Sequence, residues 1–544
     1  MTTPDDAHTV AQALDLFADG LDDTAVGAVV GRPVLLLDLD RPSTPDDRAR
    51  LRDVLAGAPV VVVGWASTPF DDDTVLELLD VALTTQPHAI APWVVCDDID
   101  TIVQHLVVEV DRSSAAAVAL VQLLRLAATS TPVEAVVAES FVYSLLQGGD
   151  RHREWLASRA ARERRPRPDH PVVRVERDGA DLEVVLDRPE VRNAYGTRMR
   201  DELVEALRLV AVDPTIERVV VRGNGPAFSS GGDLDEFGTA PTPLAAHLVR
   251  TTRNAGIALA SVADRVTMRV HGPCVGAGVE LPAFASRVVA DPATTFLLPE
   301  VSMGLIPGAG GTSSIPRRIG RHRTAFLALH GRPLDASTAL DWGLVDELAP
   351  IAASPQWVHW RRTVDLDEYE ARFDRVAADG GNPHGEVDFL ERFAPRSVLD
   401  AGCGFGRIAI ELRRRGVDAV GVDLDADLLE RARRRAPDMT WHLADLVTFD
   451  ADRAFDLVVA AGNVFGFVDP SFRADALRSC ARHVAPGGHL VVGNGLSARW
   501  PTVDDYEQWA AAAGLTAVDR FAGWDGTPFT DGGDYVVGVW SRPA

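Results

Sequence analysis

Short runs of Val and Leu, bounded by Pro, Gly and Asp, recur along the chain. Between them lie stretches whose apolar residues return every third or fourth position. PVLLLDLD (33–40) and APVVVVGW (58–65) predict buried strands. PDDRARLRDVLAG between them predicts a helix, acidic in its first turn and closed by Gly57. Residues 1–28 are acidic and Ala-rich and predict one helix, and 99–162 predict continuous helical structure. In SRAARERRPRPDHP (158–171) a boundary is expected, because Pro166, Pro168 and Pro171 cannot continue a helix. A second unit opens at 172 with VVRVERD, DLEVVLDRP, a helix over 198–211 and RVVVRGNG, and its pattern runs to about Val345. Residues 350–366 lack a period and read as a linker. From 367 a third unit carries strands at 397–401, 418–423, 456–461, 489–494 and 535–540. Strands alternating with helices predict an α/β multidomain protein with mostly parallel sheets. The 33–67 stretch echoes 182–225 in order and spacing, which fits an old duplication or the general likeness of any two βαβ units.

Composition narrows the function. The chain has 544 residues, a net charge of −25 and no lysine, so every Lys-or-Arg position is Arg. Schiff-base, pyridoxal-phosphate and Walker-type lysine chemistry are excluded. The negative surface disfavours nucleic acid, while Arg clusters still permit small anionic ligands. Cys96, Cys274, Cys403 and Cys480 form no CxxC pair, which argues against a disulfide framework or a zinc site and for no bound metal. MTTPDDAHTV is acidic where a secretory leader is basic and then apolar, and no apolar run is long enough to span a bilayer. A cytoplasmic protein without membrane partners is expected.

Three central segments carry chemistry. GPAFSSGGDLDEF (225–237) is a glycine-rich bend after a strand. VHGPCVGAGVEL (270–281) sets small residues where a helix begins, so unpaired N–H groups face outward. One amide from each would form an oxyanion hole for a thioester enolate. FLLPEVSMGLIPGAGGT (296–312) places Glu300 at the end of an apolar run. With DRPEVRNAY (187–195), which has Tyr195 where Leu is usual, these segments over about 172–348 resemble the crotonase (enoyl-CoA hydratase/isomerase) family. The resemblance implies a β-β-α spiral core, oxyanion-hole amides at Ser229 and Ala277, and hydratase carboxylates at Glu280 and Glu300. It also implies a coenzyme A thioester substrate and a trimer-based homo-oligomer. Both glutamates together favour adding water to a 2-enoyl-CoA over isomerisation.

The family's closing helices are missing after GLVDEL (343–348), yet VEAVVAESFVYSLLQGGDRHREWLASRAAR (133–162) resembles them. The organisation expected is therefore a degenerate half-domain at 1–98, a helical segment at 99–165 and a crotonase core at 166–349. The helices would serve that core from the same chain or from a neighbour. Arg159, Arg162, Arg164 and Arg165 would then meet the CoA phosphates or form a solvated basic stretch.

After the 350–366 linker, SVLDAGCGFGRIAIEL (397–412) is strand, glycine turn and helix, and DAVGVDLD (418–425) ends its strand at Asp423. With ADL (444–446), FDLVVAAGNVF (455–465) and HVAPGGHLVV (483–492), residues 367–544 resemble Rossmann-like class I S-adenosylmethionine-dependent methyltransferases. That resemblance implies S-adenosylmethionine bound by Asp400, Gly402, Gly404, Gly406, Asp423, Asp445 and Asn463, with a small methyl acceptor. Tyr369, Phe373, His384 and Glu386 are candidates for an acceptor pocket or lid. Three readings stay open: two competent enzymes in one chain, one live enzyme with a structural companion, or two adjacent genes read as one.

Overall fold

A computed structural model describes residues 7–17, 33–159, 170–350, 355–497 and 500–544. The chain divides into two compact units, Met1–Leu348 and Ala349–Ala544.

The first unit contains two parallel sheets built on the same logic. Val34–Asp38, Val61–Trp65, Val81–Thr84 and Val94–Val95 pair in chain order, all parallel. The Val-rich middle strands are buried on both faces, as a covered parallel sheet requires. The larger sheet orders Glu347–Leu348, Arg287–Ala290, Val266–Val270, Arg218–Gly223, Asp181–Leu186 and Val173–Asp178, with only the last pair antiparallel. A small sheet of Leu334–Asp335, Thr295–Leu297 and Pro273–Val275 lies after it in the fold.

Four helices follow the first sheet: Ile99–Arg112, Ser114–Ala127, Pro132–Gln147 and Asp150–Ser158. The breaks have local causes. Thr131 and Glu134 form a capping box with Pro132 at the first helical position, which starts a new helix there. Buried Asp80 ties the second helix to the sheet, accepting from Arg125 Nε at 2.9 Å and from the Val62 amide at 2.8 Å. These helices pack on the core of their own chain. Arg317 donates to Ser130 O at 2.6 Å, His105 Nε2 lies 2.8 Å from His330 O, and His152 Nδ1 lies 3.1 Å from Met303 O.

The second unit is one seven-stranded sheet. Its order is Thr440–Leu443, Asp418–Asp423, Ser397–Ala401, Phe455–Ala460, Val484–Gly495, Tyr535–Ser541 and Thr516–Phe521. The first five strands are parallel and the last two pairings antiparallel. Strand order reverses between Ser397–Ala401 and Phe455–Ala460, the position at which such sheets open a ligand crevice.

Two segments differ from the sequence expectation. The stretch taken as a linker contains a helix, Pro355–Thr363, fixed to the unit by Arg361 Nε on Asp425 at 2.6 Å. Its nine residues are too few and too aromatic to display a period. Thr516–Phe521 is an edge strand exposed along nearly its whole length, so it lacks the apolar alternation that marks buried strands. Of the N-terminal helix expected over 1–28, Val10–Leu16 is helical, and 1–6 and 18–28 lie outside the described residues.

Candidate active sites

In the first unit the two glycine segments meet. Val275 N donates to Ser229 O at 3.1 Å, and a Cβ on Gly278 would stand 2.3 Å from that same oxygen. The approach therefore requires glycine. On either side of the predicted amides the backbone is bonded: Phe228 N to His271 O at 2.9 Å, Ser230 N to Arg192 O at 2.8 Å, Gly276 N to Leu297 O at 2.8 Å. The amides of Ser229 and Ala277 have no acceptor among the described residues, although both residues are buried. Buried N–H groups are rarely left unpaired, so two convergent ones form a receptor for an oxygen.

Glu280 ends the short Ala277–Glu280 helix, and its Oε2 accepts from Ala309 N at 2.7 Å and Gly311 N at 2.8 Å. Glu139, from the Pro132–Gln147 helix, takes the alternate amides of the same turn. Gly310 N donates to Oε1 at 2.8 Å, while Thr312 N and Oγ1 donate to Oε2 at 2.9 and 2.7 Å. The turn that begins the Gly311–His330 helix is thus held between two carboxylates, as the positive end of a helix favours. Glu300 lies beside Gly276, whose Cβ would meet its Oε1 at 2.4 Å, and its buried Oε2 has no partner. Burial raises the proton affinity of all three carboxyls, and repulsion from Glu280 adds to it at Glu139 and Glu300. Hydrogen bonds that favour the charged form oppose the rise at Glu280, from two amides, and at Glu139, from two amides and the Thr312 hydroxyl. Tyr143, one turn after Glu139, packs its ring where a Gly308 Cβ would stand, and burial raises its phenol too.

In the second unit a cavity of about 460 Å³ opens at the strand reversal. Asp400, Gly402, Gly404, Asp423, Asp445 and Asn463 line it. Asp423 Oδ2 accepts from Gly404 N at 2.7 Å and Oδ1 from Asp425 N at 2.9 Å. Asp400 Oδ2 accepts from Ala409 N at 3.2 Å, Asp445 Oδ1 from Val447 N at 3.0 Å, and Asn463 Oδ1 from Gly495 N at 2.7 Å. Burial pushes Asp400 up to about 7 and Asp423 up to about 6. Gly404 has φ +54, and a Cβ there would find nothing nearer than Leu428 at 4.0 Å, so its open face belongs to the cavity. An aromatic half completes the wall, with Trp360, Tyr369, Phe373, Phe467, Trp524 and Tyr535.

A family model for enoyl-CoA hydratase/isomerase matches residues 177–360. The 2,3-dehydroadipyl-CoA hydratase of Escherichia coli is 35% identical over 176 residues, 32% of this chain and 68% of that protein. The chain belongs to the enoyl-CoA hydratase/isomerase family. The enoyl-CoA isomerase/hydratase fer4 of Mycosarcoma maydis is 34% identical over 31% of this chain and 64% of its own length, so the chain spans about two thirds of these relatives. This hydratase/isomerase-family chain also carries a methyltransferase domain, matched by a second model over 398–488. A TehB-like S-adenosylmethionine-dependent methyltransferase from Corynebacterium glutamicum is 35% identical, covering 32% of this chain and 97% of that one with a TM-score of 0.31.

In this family member the structure brings Ser229, Ala277, Glu280 and Glu300 together, and six of the seven predicted donor-site residues line one cavity. Gly406 is the exception. It has φ +81, and its Cβ would meet Trp441 at 2.4 Å, so its glycine serves helix packing rather than ligand approach. Tyr369, Phe373 and Glu386 line the cavity, while His384 precedes the Gly385–Leu390 helix outside the lining, 3.9 Å from Glu411. Arg159 lies over the Trp155 ring at 5.1 Å, and Arg162, Arg164 and Arg165 lie outside the described residues. Glu139, Tyr143 and the aromatic wall residues other than Tyr369 and Phe373 escaped the sequence reading. A lone Glu on a helix face carries no signal of the amides it will meet.

Proposed function

We propose that the chain is bifunctional: it hydrates a 2-enoyl-CoA in its first unit and transfers a methyl group to a small acceptor in its second. The free amides of Ser229 and Ala277, convergent beside Glu280 and Glu300, carry the first half of this reading. Those amides hold the thioester oxygen as it gains negative charge. Glu280, whose Oε2 accepts two backbone amides, stays ionised and removes a proton from water as its oxygen bonds to Cβ. Glu300, buried with an unpartnered oxygen, holds a proton and delivers it to Cα. The proton gained by Glu280 and the one lost by Glu300 balance over the cycle.

The second half rests on the fit of the strand-reversal cavity to S-adenosylmethionine. Gly404 leaves open room along the loop, Asp423 has lone pairs for ribose hydroxyls, and Asp445 lines the same cavity, where the family resemblance assigns it to the adenine. When bound, S-adenosylmethionine supplies an electrophilic methyl group on its sulfonium. The aromatic half of the cavity holds the acceptor in line and excludes water. Calorimetry of the whole protein with crotonyl-CoA and with S-adenosylmethionine tests both halves, followed by product analysis. Two independent binding events are expected, and binding of neither ligand would defeat the reading.

A further inference from the structure

A cation lies against the helix that carries Glu139 and is paired with none of the three glutamates. Arg250 lies on the Pro243–Thr252 helix, half-buried against the Glu139 helix. Its Nε donates to Ser140 Oγ at 3.1 Å, and Nη2 donates to Ser144 Oγ at 2.5 Å and Ser140 O at 3.4 Å. No carboxylate among the described residues forms an ion pair with it, and Nη1 has no acceptor. Arg125, Arg188 and Arg222 in this unit pair with Asp80, Asp233 and Glu183, whereas Arg250, like Arg317 and Arg323, meets only hydroxyl or carbonyl oxygens. The nearest acid to act on Arg250 is Glu139, whose two oxygens are already engaged by Gly310 and Thr312.

Tyr143 connects this cation to the reaction centre. The Arg250 guanidinium carbon lies 4.6 Å from the centre of the Tyr143 ring. That ring rests on Gly308, at the start of the turn that holds Glu280, and the charges of Glu280 and Glu300 reach its phenol. The phenol oxygen makes no hydrogen bond among the described residues. A half-buried guanidinium stacked on a phenol ring, each with a donor that no protein acceptor meets among the described residues, offers those donors to a ligand oxygen. Both are donors, so that ligand group is an anion. A planar guanidinium suits a carboxylate.

We propose that Arg250 and Tyr143 receive the far end of the acyl chain, and that this end is a carboxylate: the substrate class is the CoA monothioester of an unsaturated dicarboxylic acid. The proposal rests on the acyl-CoA reading above and names its substrate. The other anionic source is the CoA phosphates. Tyr143 rests on Gly308, next to the Ala309 amide that donates to Glu280, and this favours the acyl end.

Glutaconyl-CoA and crotonyl-CoA have the same carbon skeleton length to Cγ and differ in the added carboxylate. The whole protein is expected to bind and hydrate glutaconyl-CoA with at least about tenfold higher kcat/KM. Arg250→Gln should bring the ratio of the two values near one, chiefly through KM for glutaconyl-CoA. Tyr143→Phe, which keeps the ring on Gly308, should lower the ratio severalfold. Equal or better use of crotonyl-CoA by the unaltered protein overturns the proposal. So does an Arg250→Gln loss that is the same for both thioesters, which would assign the guanidinium to the CoA phosphates. Selective binding of glutaconyl-CoA without turnover would keep the carboxylate subsite and defeat hydration. Binding of neither would defeat both.

Discussion

The two units bury acids in opposite ways. In the hydratase/isomerase-family unit Glu139, Glu280 and Glu300 form one cluster of acids, the first two buried and the third with a buried, unpartnered oxygen. In the methyltransferase unit Asp400, Asp423 and Asp445 lie singly at strand ends, each oriented by a backbone amide. Crowding separates proton affinities and makes one carboxyl an acid while its neighbour is a base. Spacing and amide contacts keep a carboxylate as a fixed acceptor for ligand hydroxyls. Under the proposed function, the same residue class would serve proton transfer in one unit and positioning in the other.

That contrast breaks most visibly in the cluster. Glu280→Gln or Glu300→Gln should lower hydration of a 2-enoyl-CoA by about 10³-fold, since each removes a proton-transfer group. S-adenosylmethionine binding, measured by calorimetry on the same samples, should be unchanged. Loss of donor binding in either variant would mean that the two kinds of acid are coupled. The reciprocal change is smaller. Asp423→Asn keeps size but loses a charged acceptor, for a cost of about 2 kcal/mol, or roughly 30-fold in donor affinity. Hydration by that variant should match the unaltered protein.

How far these roles could be read in sequence follows the same division. Asp400 and Asp423 were legible locally, because Asp400 closes a strand just before a glycine loop and Asp423 ends the next strand, whereas Asp445 was legible only through the ADL segment of the family resemblance. Glu280 and Glu300 were legible only through glycine-rich segments around them. Glu139 was not, because its partners Gly310 and Thr312 lie 171 and 173 residues away and no local pattern encodes that meeting. The smaller sheet shows the converse. Val61–Trp65 and Val81–Thr84 are neighbouring parallel strands, as are Arg218–Gly223 and Val266–Val270, but WASTPFDDD and TTQPHAIAP follow them where the larger sheet has its glycine-rich segments. The hydrophobic pattern thus marked the strands of both sheets, and the glycine-rich segments marked only the larger one as a candidate for chemistry.

Glu139→Gln sharpens the cluster side of the comparison. An amide can accept at only one atom, so one of the Gly310 and Thr312 donors loses its partner, and the turn that orients Glu280 loosens. Hydration should fall about tenfold and the melting temperature should drop. A second readout separates charge from packing. The ionised Glu139 raises the proton affinity of Glu300, so its removal makes Glu300 ionise more easily. The protonated acid is then lost at lower pH, and the alkaline limb of the rate profile should move downward. An unmoved limb with reduced rate would leave Glu139 a purely structural tie.

The smallest effect tests the positioning side. Burial raises Asp423 to about 6 in the free protein, above the ordinary Asp value of 3.8. A carboxyl raised in this way favours the folded state most below its unfolded value, and that contribution is lost as pH rises through about 6. Ligand binding runs in the other sense. Ribose hydroxyls donate to the ionised carboxylate, so the donor selects the deprotonated form and lowers its proton affinity. S-adenosylmethionine affinity should therefore be nearly level above pH 7 and fall about tenfold by pH 5. Binding at pH 6 should release protons, seen as a dependence of the calorimetric heat on buffer ionisation. Asp423→Asn should bind weakly with no such slope. If the slope persisted in that variant, Asp400, which burial raises to about 7, would be the group that titrates, and the donor-facing role would pass from the second strand to the first.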